Sequence, residues 1–577
     1  MPFAHRHFFI AVFWAICLTL TCFMTGCDPA TVRQPKINKL TRLFPTDIKL
    51  SVTFGASIIA SPLLNLAQGY PIIIVPVSNG QIVALNGKTG VLEWQINVPT
   101  PAGQEAQLIS TPVIINDKLV TVYQCLVKGV RTSHRLAVID LTQKKLDETF
   151  PVLTLSAEKP TIDGTKTVKF NPPTAYSHSA LKYAAKSDVH WGTVYAAFGN
   201  AADTQPFHGW LFEIDMDAWQ AQGASKAISN ILLTTPEADC PVTMEYGTQE
   251  MICGGGIWTP GGPLLYAAEG HYELFVPVGN GQVDLDRHDY ANSVMRVQPG
   301  LKFDAGCNQD LCKNFNPKQP DEDCISSCNN LFIPRLKQND VSLRPANKEC
   351  DNKTFAECLA WMDFDLGGSS PVRVEMKNGQ SVIVQPGKEG AVYLLDAKHL
   401  GTQYDRLQIV DVCGTPTDMC KAHWMGMIVT QPVVSYVDGD PVVIIPTFVP
   451  DRSHPAGVVA LKIALEGGKP KLQRFWQFPD PTSQKALQSF RSHPSLPVLS
   501  TFGKNEDAIV WIIDIGNPGT LYGIRVKDGT LMVEQPLLGA GRQLAAPLIH
   551  DNTIYLGSIL PNTGKALLEA YQIPANE

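Results

Sequence analysis

Fourteen cysteines offer the most direct chemical possibilities in this 577-residue chain. A thiolate can ligate a metal, attach a haem, or oxidise with a second cysteine to a disulfide, and spacing separates these cases. No Cys-x-x-Cys-His occurs, which argues against covalent c-type haem. Cys324 and Cys328 lie four apart without a second such pair, so the knuckle spacing of a structural zinc site is missing. Disulfides are the better account. Cys240 with Cys253 and Cys413 with Cys420 are local pairs, six more (Cys307, Cys312, Cys324, Cys328, Cys350, Cys358) crowd together, and Cys125 is left over. Such usage suits an oxidising compartment.

The N-terminal residues point to the same place. His5, Arg6 and His7 precede an apolar run from Phe8 to Leu20, and Met24-Thr25-Gly26-Cys27 follows. This order reads as a lipoprotein signal peptide ending at a lipobox, with Cys27 acylated as the new N-terminus. An ordinary signal peptide or an uncleaved anchor is the alternative, but the apolar run is short for a spanning helix. Residues 1–27 are thus expected to be a leader, 28–49 a polar tether and 50–577 the folded body. The expected location is the periplasmic side of a bacterial inner or outer membrane, held by lipid on Cys27. A formal net charge of -7 argues against nucleic acid as a partner. The membrane, through its anchor, and other envelope proteins are the partners expected.

Strand and turn signals organise the rest. Gly254-Gly255-Gly256 and Trp258 lead to a break at Pro260-Gly261-Gly262, then to an apolar run from Leu274 to Val278 and Gly279-Asn280-Gly281. Gly-rich breaks around short β-prone runs predict antiparallel strands, with Asn280-Gly281 expected as a two-residue hairpin turn. Similar units recur, several opening at a Ser/Thr-Pro or related break: Ser61-Pro62, Thr111-Pro112, Ser370-Pro371, Gln431-Pro432, His493-Pro494 and Ala546-Pro547. With the units around Thr193–Asn200 and Gly254, eight copies predict an all-β, eight-bladed β-propeller. Gly306 to Ala360 breaks the rhythm and is expected to be a Cys-rich, disulfide-stapled insertion that caps the ring or protects an edge. Pro151 to Ser187 is a smaller irregular connection, and long structured connections often carry function.

Val83-Ala84-Leu85-Asn86 with Thr89-Gly90-Val91-Leu92-Glu93-Trp94 resembles the repeat of pyrroloquinoline-quinone (PQQ) propellers, where glycine turns the chain and tryptophan packs between blades. The order VYAAFGNAAD, GGGIW, VPVGNGQ, WMDFDLGGSSPV and GKEGAVYLLD is similar to that of the quinoprotein alcohol dehydrogenase-like superfamily. The resemblance implies a stacking role for Trp258 and calcium ligation by Asp203, Asn280 and Asp363. It also implies a catalytic base at Asp363, with Asp365 the alternative, and a quinone contact at Lys388. PQQ and Ca²⁺ would be the cofactors. This chain departs from the pattern in lacking a vicinal Cys-Cys pair and a haem domain, and in having Asp203 where the family has a glutamate. Each residue also has a plain structural use. Trp258 can fill core, Asn280 can turn a hairpin, Asp363 and Asp365 can cap loop amides, Lys388 can occupy a turn, and His208 and His423 can be satisfied core histidines. Two functions stay open: a binding or scaffold module for protein partners, and a PQQ- and calcium-dependent dehydrogenase of an alcohol or sugar.

Overall fold

The computed structural model describes residues 38–45, 53–187, 190–200, 207–237, 254–268, 270–316, 321–334, 364–410, 427–448, 456–502, 507–561 and 563–574. Seven sheets follow one another over 63–97, 105–154, 175–233, 264–332, 372–408, 433–478 and 498–536. An eighth combines 540–572 with strands from 41–54. The eight-bladed propeller is therefore the observed fold. In the first blade, Leu63–Asn65, Ile72–Pro76, Gln81–Asn86 and Leu92–Asn97 pair in order, all antiparallel.

The core lies between blades, and it runs in a cycle. Val75 and Leu85 meet Tyr555 and Leu568 between the eighth blade and the first. Trp94 joins Leu119 and Ala137 at the next junction. Further clusters link blades two to three, three to four, four to five, five through seven, and seven to eight. Each sheet is thus covered on both faces. That explains why Ile72–Pro76 is apolar throughout rather than alternating.

Two local devices join neighbours. Phe44 lies on Gly90 (φ 71°), where an added Cβ would sit 2.7 Å from the ring. Trp476 covers Gly529 (φ 73°) in the same way, and its Nε1 donates to the Val526 carbonyl at 2.7 Å. Only glycine combines a left-handed turn with room for the neighbouring ring. The Ser/Thr breaks form the second device. Ser61 N donates to Thr111 Oγ1 at 3.1 Å, Ser110 Oγ to Ser179 O at 2.5 Å, and Ala546 N to Ser61 Oγ at 2.8 Å. Thr259 Oγ1 and Ser370 Oγ are 2.8 Å apart. Each bond crosses from one blade to another.

The ring closes through Thr41–Phe44, which pairs with Ala566–Gln572 by Thr41↔Gln572 and Arg42↔Tyr571. Leu40 N also donates to Gln535 Oε1 at 3.0 Å. Residues 38–44, expected within the tether, thus belong to the ring. Four residues with a single buried side chain, Phe44, are too few to show a strand pattern.

Because successive strands are antiparallel, each blade has two kinds of end. The segment entering the first strand and the one joining second to third emerge at one end, here called upper. The other two connections emerge at the lower end. In the fourth blade the strands are Leu264–Ala268, His271–Pro277, Val294–Val297 and Leu331–Phe332. Residues 278–293 therefore form a long upper connection with its own hairpin, Val283–Asp284 paired to Asp289–Tyr290, and not the two-residue turn expected at Asn280-Gly281. Leu331–Phe332 also divides the expected insertion at 306–360 in two. Its first part is a lower connection, stapled by Cys307–Cys328 and Cys312–Cys324. Ile325 and Cys328 pack with Val297 and Leu301, and Gly401 N donates to Cys328 O at 2.9 Å. This part braces blades four and five from below and does not cap the upper end. Cys125 is buried and free. Residues 1–37 with Cys27, and Cys240, Cys253, Cys350, Cys358, Cys413, Cys420 and His423, lie outside the described residues.

Candidate functional site

Four upper segments of blades four and five converge: 254–263, 278–293, 364–371 and 387–390. Glycine allows the approach. A Cβ on Gly367 would stand 2.8 Å from Gly279 Cα and 2.9 Å from Trp258 Nε1, and one on Gly368 would stand 2.9 Å from Trp258 Cη2. Backbone bonds fix the segments, Gly255 N to Asn280 O at 2.5 Å and Gly279 N to Gly256 O at 2.8 Å. Half-buried Trp258 stands in this glycine cradle. His178 bonds its backbone, and burial holds that imidazole down at about 4.

Lys388 lies in the turn between Ser381–Pro386 and Ala391–Asp396 and is 1% exposed. Its Nζ is 5.0 Å from the Trp258 ring centroid and 3.6 Å from Asp365 Oδ2. Asp365 is itself 3% exposed, and its Oδ1 has no hydrogen-bond partner among the described residues. Lys388 N donates to Asp365 O at 3.2 Å, and Met427 N to Lys388 O at 2.7 Å. Behind the pair, Tyr393 OH donates to Glu389 Oε1 at 2.5 Å, with Arg406 Nη2 4.0 Å from the same oxygen. Burial pushes the Glu389 carboxyl up to about 7 against the pull of the Arg406 guanidinium, and pushes the Tyr393 phenol up as well.

Of the expected site residues, the structure brings Trp258 and Lys388 together, and joins them to Asp365. Asn280 is buried one residue beyond Gly279. Asp203 and Asp363 lie outside the described residues. Glu389 and Arg406 were not anticipated. Gly-Lys-Glu-Gly reads as an ordinary turn, and only the burial of this blade turns its Glu389 inward. His208 is the structural histidine expected, with Nδ1 2.9 Å from Thr235 Oγ1, and burial pushes it down to about 4.

Whether these residues fit a stacked quinone is a question of spacing. A flat ring between Trp258 and an opposing group needs two van der Waals gaps, about 7 Å in all. The Lys388 ammonium at 5.0 Å leaves too little room on that face. Among the described residues no group of three or more His, Cys, Asp or Glu side chains could hold a metal. The Lys388 ammonium thus leaves no room for a stacked PQQ on its side of Trp258, and of the expected calcium ligands only Asn280 is among the described residues.

No family model and no curated relative matches the chain. Solved structures do. A europium-containing methanol dehydrogenase aligns with a TM-score of 0.52 at 10% identity, over 93% of this chain and 95% of that one. The quinohemoprotein alcohol dehydrogenase ADHIIG from Pseudomonas putida HK5 gives 0.50 at 12% identity, over 91% and 76%. BamB from Moraxella catarrhalis gives 0.43 at 11% identity, over 93% and 100%. At such identities the first two establish likeness of fold alone: this chain has a propeller fold like theirs.

Proposed function

We propose that the chain is an extracytoplasmic binding or scaffold module for protein partners, tethered to a membrane by lipid on Cys27. The observation that carries this is the buried Lys388–Asp365 pair lying over Trp258. A base that takes the proton of a substrate hydroxyl must be reachable by substrate; Asp365 is buried and already paired with a cation. The upper end also projects apolar side chains, with Val130 at the turn joining the two central strands of blade two 58% exposed and Ile162 in the connection to blade three 56% exposed. Such residues suit contact with another protein. The convergence of Trp258, Lys388 and Asp365 is what favours the second reading, a PQQ- and calcium-dependent dehydrogenase.

A photo-crosslinker placed at Val130 or Ile162 in the native envelope should give a discrete crosslinked protein product. The same probe at Val91, on a lower turn and 60% exposed, should not. Equal products from both ends, or PQQ-dependent oxidation of an alcohol or sugar, would overturn the proposal. Mass spectrometry of the N-terminal peptide tests the anchor: acylated Cys27 supports it, and a retained leader refutes it.

A further inference from the structure

The described fold contains two small two-stranded sheets that are not blades, and they face each other. One is Glu158–Pro160 with Thr167–Lys169, in the connection from blade two to blade three. The other is the hairpin of blade four around Arg287. Glu237 ties them together. Its Oε1 accepts the Ile162 N–H, its carbonyl accepts Arg287 Nη2 at 2.6 Å, and its own N–H reaches Asp289 Oδ1 at 2.9 Å. Between them lies a cavity of about 280 Å³. The propeller has no need of this arrangement, since blade-to-blade packing closes the ring without it.

The lining has a definite chemistry. Thr161 and Thr165 donate their hydroxyls to Asp163 and keep oxygens that accept, Thr167 can donate and accept, and the cations Lys166, Lys169 and Arg287 stand beside the acids Asp163 and Glu237. Buried Phe207 and Trp210 supply apolar surface at the base. Thr161 and then Thr165 hold the Asp163 carboxyl down at about 2, so it remains an acceptor at neutral pH. Both signs of charge line the walls, which disfavours a phosphate; a phosphate site gathers cations and amides. A sugar ring has the matching character, with hydroxyls around its rim and an apolar C–H face. The volume suits one ring; drug-sized ligands need roughly 300–1,000 Å³.

We propose that this cavity is a binding site for a single carbohydrate ring, distinct from the Trp258 cluster and independent of any protein partner. The test is saturation-transfer NMR on the full chain with glucose, N-acetylglucosamine and glucuronate as probes. At least one should show transfer, with Kd on the order of 1 mM, the affinity usual for so small a ligand. Thr167 is exposed on its strand, so Thr167→Trp should fill the cavity and weaken binding at least tenfold at an unchanged melting temperature. Thr167→Ser should bind as the parent does, and Arg287→Ala should weaken binding if the tryptophan variant fails to fold. No transfer from any of the three sugars, or full transfer with Thr167→Trp folded, would overturn the proposal.

Discussion

The first and fourth blades are built from the same four antiparallel strands but treat their connections differently. In the first, short turns at 66–71, 77–80 and 87–91 join the strands, and Gly90 receives the ring of Phe44 from the neighbouring blade. In the fourth, 278–293 carries its own hairpin and 298–330 carries two disulfides. The strands in both satisfy the same demand, burial on two faces. The connections of the fourth blade answer to something beyond closure, since a closed ring is achieved without them. Upper and lower ends diverge accordingly. The lower excursion is cross-linked and packed; the upper ones frame the Trp258 cluster and the carbohydrate cavity.

The contrast breaks most sharply at the junction of blades four and five. Lys388→Ala should leave buried Asp365 without its cation, costing about 3–5 kcal/mol in denaturant unfolding. Replacing both, by Lys388→Met with Asp365→Leu, should recover most of that loss. No recovery would mean that the charges act separately.

The lower insertion gives the next effect. Each bridge closes a short loop, for about 2–4 kcal/mol apiece. Reduction should loosen this insertion first and leave the ring largely intact. Given the bond from Gly401 to Cys328 O, the double variant Cys307→Ala/Cys328→Ala should also raise hydrogen exchange at 397–401 while sparing the first blade. Unchanged exchange at 397–401 would refute the bracing role.

Turn glycines sharpen the comparison on a smaller scale. Gly90→Ala combines a left-handed φ with overlap against Phe44, for about 2–4 kcal/mol. Gly270 in the fourth blade has φ 75° with nothing within 4 Å, so Gly270→Ala should cost only about 1–2 kcal/mol. Equal losses in thermal unfolding would show that the aromatic contact adds nothing.

The remaining effect is a pH slope. Folding raises the Glu389 pKa from 4.5 to about 7, so the fold favours the protonated acid. Its contribution is complete below about pH 4.5 and is lost as pH rises through about 7. Wild type should therefore lose stability relative to Glu389→Gln across that window. A constant difference between them would show that Glu389 does not titrate there.

Much of the ring was legible because its signals are local. Ser61-Pro62 and Thr111-Pro112 mark blade starts, and their hydroxyls prove to bond neighbouring blades. Gly90 with Trp94 marks a turn and a packing ring within a few residues. What escaped depends on distant partners or on very short strands. Thr41–Phe44 becomes a strand only because Ala566–Gln572 offers an edge, and Leu331–Phe332 is two residues inside a Cys-rich stretch. At the candidate site, resemblance placed Trp258 and Lys388 in one neighbourhood. It gave no hint that Lys388 would be buried against Asp365 over the indole, because that depends on how blades four and five pack.

The central claim, that a buried ion pair and not a quinone occupies the Lys388 face of Trp258, is tested most directly by titrating PQQ in the presence of Ca²⁺ and following thermal unfolding. A ligand at a hundredfold excess over Kd stabilises the native state by about 2.7 kcal/mol, a shift that is easily read. The account predicts no shift in the wild type at any concentration. A saturable, calcium-dependent rise in Tm that disappears in Trp258→Ala would contradict it.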